Sequence, residues 1–451
     1  MRFSWLRTVL VGGIALFLFS ACSDSSDVGL GVGSRADSLR GGQPTTLNVA
    51  PEVDTTRTAP LTGENVRQPP TRSTWRFLTG VVDDPIPGTG IIEAEGYIDF
   101  AGRSSLPSQL ISANNADSLA AELRLTTDYL HGQSNERIAV KVYDLTAEAT
   151  MDSARATASF DADETESVAV DTARITPTDS LVTIELRQSW IDEHLPILQD
   201  TSGDGADFED TFSGFKIVAP NSEAVVGFSF SNATLRLIHE PDSATADYAA
   251  LKTFTHIEQR NATGSAPTGQ NLMLGGIGVG LSMNWDFDAA PLDTLENAPL
   301  NRAEIYVPLD TLALDNFSRS NFARPRPRGF RVIATRTSAA DAPSCASLQL
   351  PVFSQANEAC VLPLVPSAAP SAALVPDTYA FSVFQQSFQR VRNGQTPVFT
   401  RVRVFIADRE NTSGNASSTI QPGLPSTLPA LVPTGGEDPG PPRATLTVTP
   451  L

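Results

Sequence analysis

From about Trp75 onward, apolar and polar positions alternate with a period of two, in short runs bounded by Gly, Pro, Asn and Asp. Ile138, Val140 and Val142 alternate with Ala139, Lys141 and Tyr143, Phe228 and Phe230 flank Ser229, and Val402, Val404 and Ile406 alternate with Arg401, Arg403 and Phe405. Successive side chains of a strand point to opposite faces, so this period predicts half-buried β-strands. One stretch, Gln188 to Leu198, carries a helical pattern instead. Many short strands with polar connections predict an all-β chain of sandwich or jelly-roll type. Two internal echoes predict a duplicated plan. Ala121-Glu122-Leu123-Arg124-Leu125 is matched by Ala303-Glu304-Ile305-Tyr306-Val307, and Ala233-Thr234-Leu235-Arg236-Leu237 by Ala444-Thr445-Leu446-Thr447-Val448. The expected division is a first β-sandwich domain over 71–245 and a second over 246–451, with the boundary between Asp242 and Lys252.

The N-terminus breaks the pattern. Arg2 and Arg7 precede an uncharged, mostly apolar run from Thr8 to Phe19. That run is too short to span a bilayer and reads as a secretory signal, 1–21. It ends in Ser20-Ala21-Cys22, which resembles the bacterial lipobox, whose cysteine becomes the first residue and carries acyl chains. The resemblance implies membrane attachment through acyl chains on Cys22, each buried CH2 contributing about 0.8 kcal/mol. The next residues, Ser23-Asp24-Ser25-Ser26-Asp27, read either as a solvated tether or as a surface-export signal. From Cys22 to Pro70 the 49 residues include no aromatic side chain and are rich in Gly, Ser, Thr, Asp and Pro. Such a segment offers too little apolar area to offset its ordering entropy, so a flexible tether is expected over 22–70.

Composition narrows the function. Acidic residues outnumber basic ones 51 to 32, which excludes a nucleic-acid partner held by a broad basic footprint. Removal of the leader takes Arg2 and Arg7 and sharpens the imbalance. Only 3 of the basic residues are lysines, a balance that suggests a surface suited to high salt. With Cys22 modified, Cys345 and Cys360 remain, and 14 residues separate them. In an oxidising compartment they are expected to form a disulfide that stabilises by about 3 kcal/mol.

Several landmarks then fall in order. Asp27-Val28-Gly29-Leu30-Gly31 follows Cys22, and Phe77-Leu78-Thr79-Gly80 runs into Asp84-Pro85 and Gly88. Gly275-Gly276-Ile277-Gly278, Leu300-Asn301-Arg302-Ala303-Glu304-Ile305 and a Pro-rich approach to a last strand come later. This order resembles the Bacteroidota-type lipoprotein family catalogued as domain of unknown function 4270, over nearly the whole mature chain. The resemblance implies an outer-membrane or cell-surface address and supplies no catalytic residue. The first domain also resembles carbohydrate-binding modules of jelly-roll type, on its Trp190 segment and the strand Gly214-Phe215-Lys216-Ile217-Val218.

Few residues suggest chemistry. Asp200, Ser202 and Asp204 occupy the first, third and fifth places of a loop with Gly205 sixth, as in an EF-hand, and Asp207 follows. The twelfth place is Thr211 where a bidentate Glu is needed, so a solvated acidic turn is expected, with a non-EF calcium loop as the alternative. Gly275 to Gly280 lacks the spacing and Lys-Ser/Thr of a phosphate loop, and a strand bulge or a close backbone approach is expected there. His131, His194, His239 and His256 form no metal-spaced pair, and no Gly-x-Ser-x-Gly elbow occurs. Asp286 and Asp288 beside Trp285 are the nearest carboxylate pair for a glycosidase, but a strand-end turn is the expected reading of them. Trp75, Trp190 and Trp285 are expected in the cores, with sugar stacking as the alternative. Arg324-Pro325-Arg326-Pro327-Arg328 reads as a solvated basic loop, with contact to an acidic glycan or lipid head group as the alternative. The expected function is binding or assembly at the membrane, without enzymatic activity or cofactor. A surface glycan-binding protein is the first alternative and a cryptic glycoside hydrolase the second, and the partner is a glycan or another surface protein.

Overall fold

The computed structural model describes residues 44–57, 76–113, 118–135, 137–146, 151, 156–170, 173–176, 180–262, 264–287, 289, 292, 300–325, 329–336, 352–354, 359–362, 378–381, 388–390, 393, 395, 397, 399–407, 427–436 and 440–448. The all-β expectation holds. The strands are β1 (Thr45–Val49), β2 (Glu52–Arg57), β3 (Arg76–Asp83), β4 (Ile91–Phe100), β5 (Leu119–Gln133), β6 (Ile138–Asp144), β7 (Ala173–Ile175), β8 (Leu181–Glu185), β9 (Phe215–Val218), β10 (Ala224–Ser229), β11 (Thr234–His239) and β12 (Ala244–Arg260). They continue as β13 (Gln270–Leu274), β14 (Val279–Asn284), β15 (Leu300–Pro308), β16 (Phe322–Ala323), β17 (Gly329–Arg336), β18 (Val352–Ser354), β19 (Ala359–Leu362), β20 (Thr378–Phe381), β21 (Phe399–Ala407), β22 (Pro429–Pro433) and β23 (Arg443–Val448).

In the first unit two long strands serve two sheets each. The first half of β5 pairs with β8 and β11, and its second half with β10. The first half of β12 pairs with β11 and its second half with β4. Because β10 pairs with β3 and β3 with β4, the path β12-β11-β5-β10-β3-β4 closes on itself. Period-two alternation turns one side of every strand into this closed space. Phe77, Phe100, Phe215, Phe228, Leu123, Leu235 and Tyr248 fill it, with Trp190 and Ile191 of the helix Gln188–Leu198. That helix lies where the helical pattern predicts it.

The second unit repeats the connectivity. The echoed strands pair antiparallel within each unit: β5 with β11 through Leu123↔Leu235, and β15 with β23 through Ala303↔Leu446. The registers differ by two residues, a shift that keeps each side chain on its face. Other pairings correspond as well. The β3–β4, β3–β10, β4–β9 and β6–β9 pairs reappear as β13–β14, β13–β22, β14–β21 and β17–β21. The four-stranded sheet β1-β23-β15-β20 packs on the larger sheet through Val49, Ile305, Leu446, Leu281, Val402 and Val432.

One strand of this plan comes from elsewhere in the chain. In the first unit β12 follows β11 and runs from β11 onto β4. In the second unit that place is taken by the N-terminal arm, whose β1 pairs with β23 over Thr45↔Val448 to Val49↔Ala444 and whose β2 pairs with β14 over Glu52↔Asn284 to Arg57↔Val279. Within the expected tether of 22–70, Thr45–Val49 and Glu52–Arg57 are instead strands of the second unit. The arm's apolar contribution is small, with Leu47, Val49 and Val53 turned toward the core, and ladder hydrogen bonds supply most of its attachment. The expected boundary between 242 and 252 also moves, because β12 runs unbroken across it to Arg260. Pro241-Asp242-Ser243 is a hairpin turn: the Ala244 amide donates to Asp242 Oδ1 at 3.1 Å and Ser243 sits at φ 59°. Residues 1–21, expected to be a signal, lie outside the described residues together with Cys22 and Cys345, as does the side chain of Cys360.

Candidate functional site

The two units meet along a mixed junction. Strand β16, from the second unit, pairs with the end of β5 through Phe322↔Gln133 and Ala323↔Gly132. Ile86, in the turn after β3, packs against Leu272, Leu274, Val279, Leu314 and Leu431. Leu428 and Ile277 pack with Leu78, Val82, Ile92 and Val225.

At the centre of the junction lies a buried polar cluster. Its residues come from four separate stretches: Asp84 after β3, Tyr129 and His131 on β5, Arg324 after β16, and Thr427 before β22. Side-chain alternation on β5 turns Tyr129 and His131 to one face, toward the second unit. Asp84 is the common acceptor. Its Oδ2 receives His131 Nε2 at 2.8 Å and Arg324 Nε at 3.1 Å, and its Oδ1 receives Arg324 Nη2 at 3.0 Å and the Ile86 amide at 3.0 Å. Arg324 Nη1 also donates to Leu314 O at 3.1 Å and Ser318 Oγ at 3.3 Å, and its guanidinium stacks 5.1 Å from the Phe322 ring centre. On the other side of the imidazole, His131 Nδ1 lies 2.9 Å from Thr427 Oγ1. Thr427 donates its amide to the Tyr129 hydroxyl at 3.1 Å, and the two hydroxyls are 3.3 Å apart.

One placement of hydrogens satisfies this whole chain. Tyr129 gives its proton to Thr427 Oγ1, Thr427 gives its own to His131 Nδ1, and a neutral His131 donates from Nε2 to Asp84. Burial by itself raises the Asp84 pKa, but the hydrogen bonds from His131 and Arg324 together with the Arg324 charge outweigh it and hold the carboxyl below its ordinary 3.8. Asp84 is therefore an anion paired bidentately with Arg324.

The order hydroxyl, imidazole, carboxylate is also that of a nucleophilic triad. Two features argue for another use. In a triad the carboxylate stabilises an imidazolium, whereas here Arg324 already neutralises it. The hydroxyl that would attack belongs to Thr427, which is 1% exposed and engaged by its neighbours. What the arrangement can do is hold two units in one register, since every donor reaches across or along the junction.

The remaining sequence candidates lie apart from the junction. Asp200 Oδ1 accepts from the Ser202 amide at 2.8 Å, and the one Ser202 hydroxyl proton is shared between Asp200 Oδ1 and Asp207 Oδ2, the latter 2.6 Å away. These bonds pull the Asp200 pKa down and close the acidic turn on itself. The side chain of Asp204 lies outside the described residues, and among those described no cluster of His, Cys, Asp and Glu has metal-holding geometry. Trp190 and Trp285 are buried in the two cores. Trp190 Nε1 donates to Asp144 Oδ1 at 2.9 Å and its ring stacks on His194, with centres 4.6 Å apart. Burial raises the pKa of that Asp144. Trp75 and Asp288 lie outside the described residues, while Asp286 is exposed. Gly275 to Gly278 form the β13–β14 turn, with Gly278 at φ 67°. Gly280 is a close approach, as expected, since a Cβ there would stand 2.3 Å from Val404 O. Arg324 corrects the reading of its Arg-Pro segment as a solvated loop: its side chain is 7% exposed and ion-paired, while Arg326 and Arg328 lie outside the described residues.

Sequence reading passes over Asp84, His131 and Thr427 because their partners are far away, His131 and Thr427 being separated by 296 positions. The fold and the junction together define an all-β chain of two like-connected units held by a buried ion pair. No protein-family model matches this chain, and no curated protein matches it.

Proposed function

We propose that this is a lipid-anchored protein of the outer membrane or cell surface, whose two β-units serve binding or assembly and carry no catalytic activity. The likeness to the Bacteroidota-type lipoprotein family belongs to the same proposal. The observation that carries it is the N-terminal order: Arg2 and Arg7, the apolar run Thr8 to Phe19, then Ser20-Ala21-Cys22. The junction supports the non-enzymatic part, because the residues arranged most like catalytic ones are consumed in joining the units.

The test of the anchor is Cys22→Ala in the full chain, followed by fractionation of the producing cells. Loss of the protein from the membrane fraction is expected, and unchanged retention would overturn the proposal. Among the residues whose side chains are described, the aromatic ones are buried or half-buried.

A further inference from the structure

We infer that the second unit faces the membrane and that the far pole of the first unit, at the turn between β11 and β12, is the surface presented outward. The inference rests on the anchoring at Cys22 proposed above and adds the direction in which the molecule stands.

The argument follows the ends of strands. β15 ends at Pro308, next to Asp310 and the helix Thr311–Asn316, whose Leu314 packs on Ile86 at the junction. Its other end, Leu300, pairs with Val448, and Val448 pairs with Thr45. The arm therefore joins the second unit at the pole away from the first unit, about 30 Å along a nine-residue strand. From there the chain runs back toward the junction. Arg57 pairs with Val279, a junction residue, and its Nη2 donates to Gln259 Oε1 of β12 at 3.4 Å.

The first unit continues the same line outward. β5 and β12 both have one end at the junction, at Gln133 and Gln259. Their other ends meet through His239↔Leu119 and His239↔Ala244, beside the turn Glu240 to Ser243. β5 has 15 residues, so this pole lies up to roughly 50 Å beyond the junction. Read from its sequence as a tether, the segment between Cys22 and Pro44 has an r.m.s. reach of about 25 Å, well short of the combined length of the two units. The anchor thus holds the pole of the second unit near the lipid and leaves the Glu240–Ser243 turn farthest from it.

The experiment uses the acylated full chain in phosphatidylethanolamine–phosphatidylglycerol vesicles that carry a head-group quencher. A fluorophore is attached through a click-reactive residue at exposed position 301 in one sample and at exposed position 240 in another. Strong quenching at 301 and its loss at 240 are expected. Equal quenching, or the reverse order, would overturn the orientation while leaving the anchor intact. A chain that lacks the acyl mass and stays off the vesicles would overturn the anchoring and the orientation with it.

Discussion

Removing the Asp84 carboxylate would leave the Arg324 guanidinium and the His131 ring buried without their shared acceptor. Breaking a buried pair from one side costs about 3–5 kcal/mol, because the remaining charge stays desolvated. Asp84→Ala should therefore lower stability by about that much, read as a shift of the urea midpoint, and should separate the unfolding of the two units into two transitions. A single unshifted transition would contradict the reading of the cluster as a junction. Acid acts on the same group. The folded pKa lies below the ordinary 3.8, so the contribution of Asp84 is fully present above that value and is lost as pH falls through the folded one. The wild-type midpoint should fall below pH 4 more steeply than that of Asp84→Ala. None of this is legible in the sequence. Asp84 stands before a proline, His131 is one of four scattered histidines and Arg324 opens a basic run, so each residue alone looks like a turn, a strand or a solvated loop. Their meaning comes from contacts between stretches far apart in the chain, 47 positions for Asp84 with His131, 240 for Asp84 with Arg324 and 296 for His131 with Thr427.

The element scale is more legible, and its two errors have one physical origin. Alternation identifies the strands, and the echoed five-residue segments identify the strands that pair in each unit. The arm escapes a reading that weighs composition above period. Leu47, Val49 and Val53 keep the alternation, but they lie among Thr, Asn, Asp and Pro in a stretch without aromatics. Such a strand is held mainly by its ladder, which depends on an edge supplied by residues 279–284 and 444–448 and leaves little trace in hydrophobicity. The turn at 241–243 misleads in the opposite sense, because Pro, Asp and Ser mark a hairpin as readily as a linker. Deleting residues 44–57 from the full chain should expose the edges of β23 and β14. Hydrogen exchange read by mass spectrometry should then lose protection over 279–284 and 443–448 and keep it over 119–128. Appending the deleted segment after Leu451 through a flexible linker should restore it, because β12 occupies the corresponding place after β11. Protection that stays lost in that chain would refute the correspondence.

At the scale of the whole molecule the charge balance, 51 acidic residues against 32 basic, acts differently from the junction. Among the described residues nearly all carboxylates are exposed or half-buried, where an acidic excess opposes compaction through self-repulsion and is screened by salt. The Debye length falls from about 10 Å at 0.1 M to about 3 Å at 1 M, so repulsion between separated surface carboxylates is largely screened at molar salt. The Asp84–Arg324 pair is shielded from solvent, 0% and 7% exposed at the side chains, and screening reaches it little. The two effects are therefore separable. The melting temperature of the wild type should rise as sodium chloride is raised from dilute buffer to molar concentration. Asp84→Ala should start lower and rise by the same increment, because it lacks a buried interaction and keeps the surface charge pattern almost unchanged. An increment that disappears in the variant would place the salt sensitivity at the junction, and a wild type indifferent to salt would remove the role assigned to the surface charge.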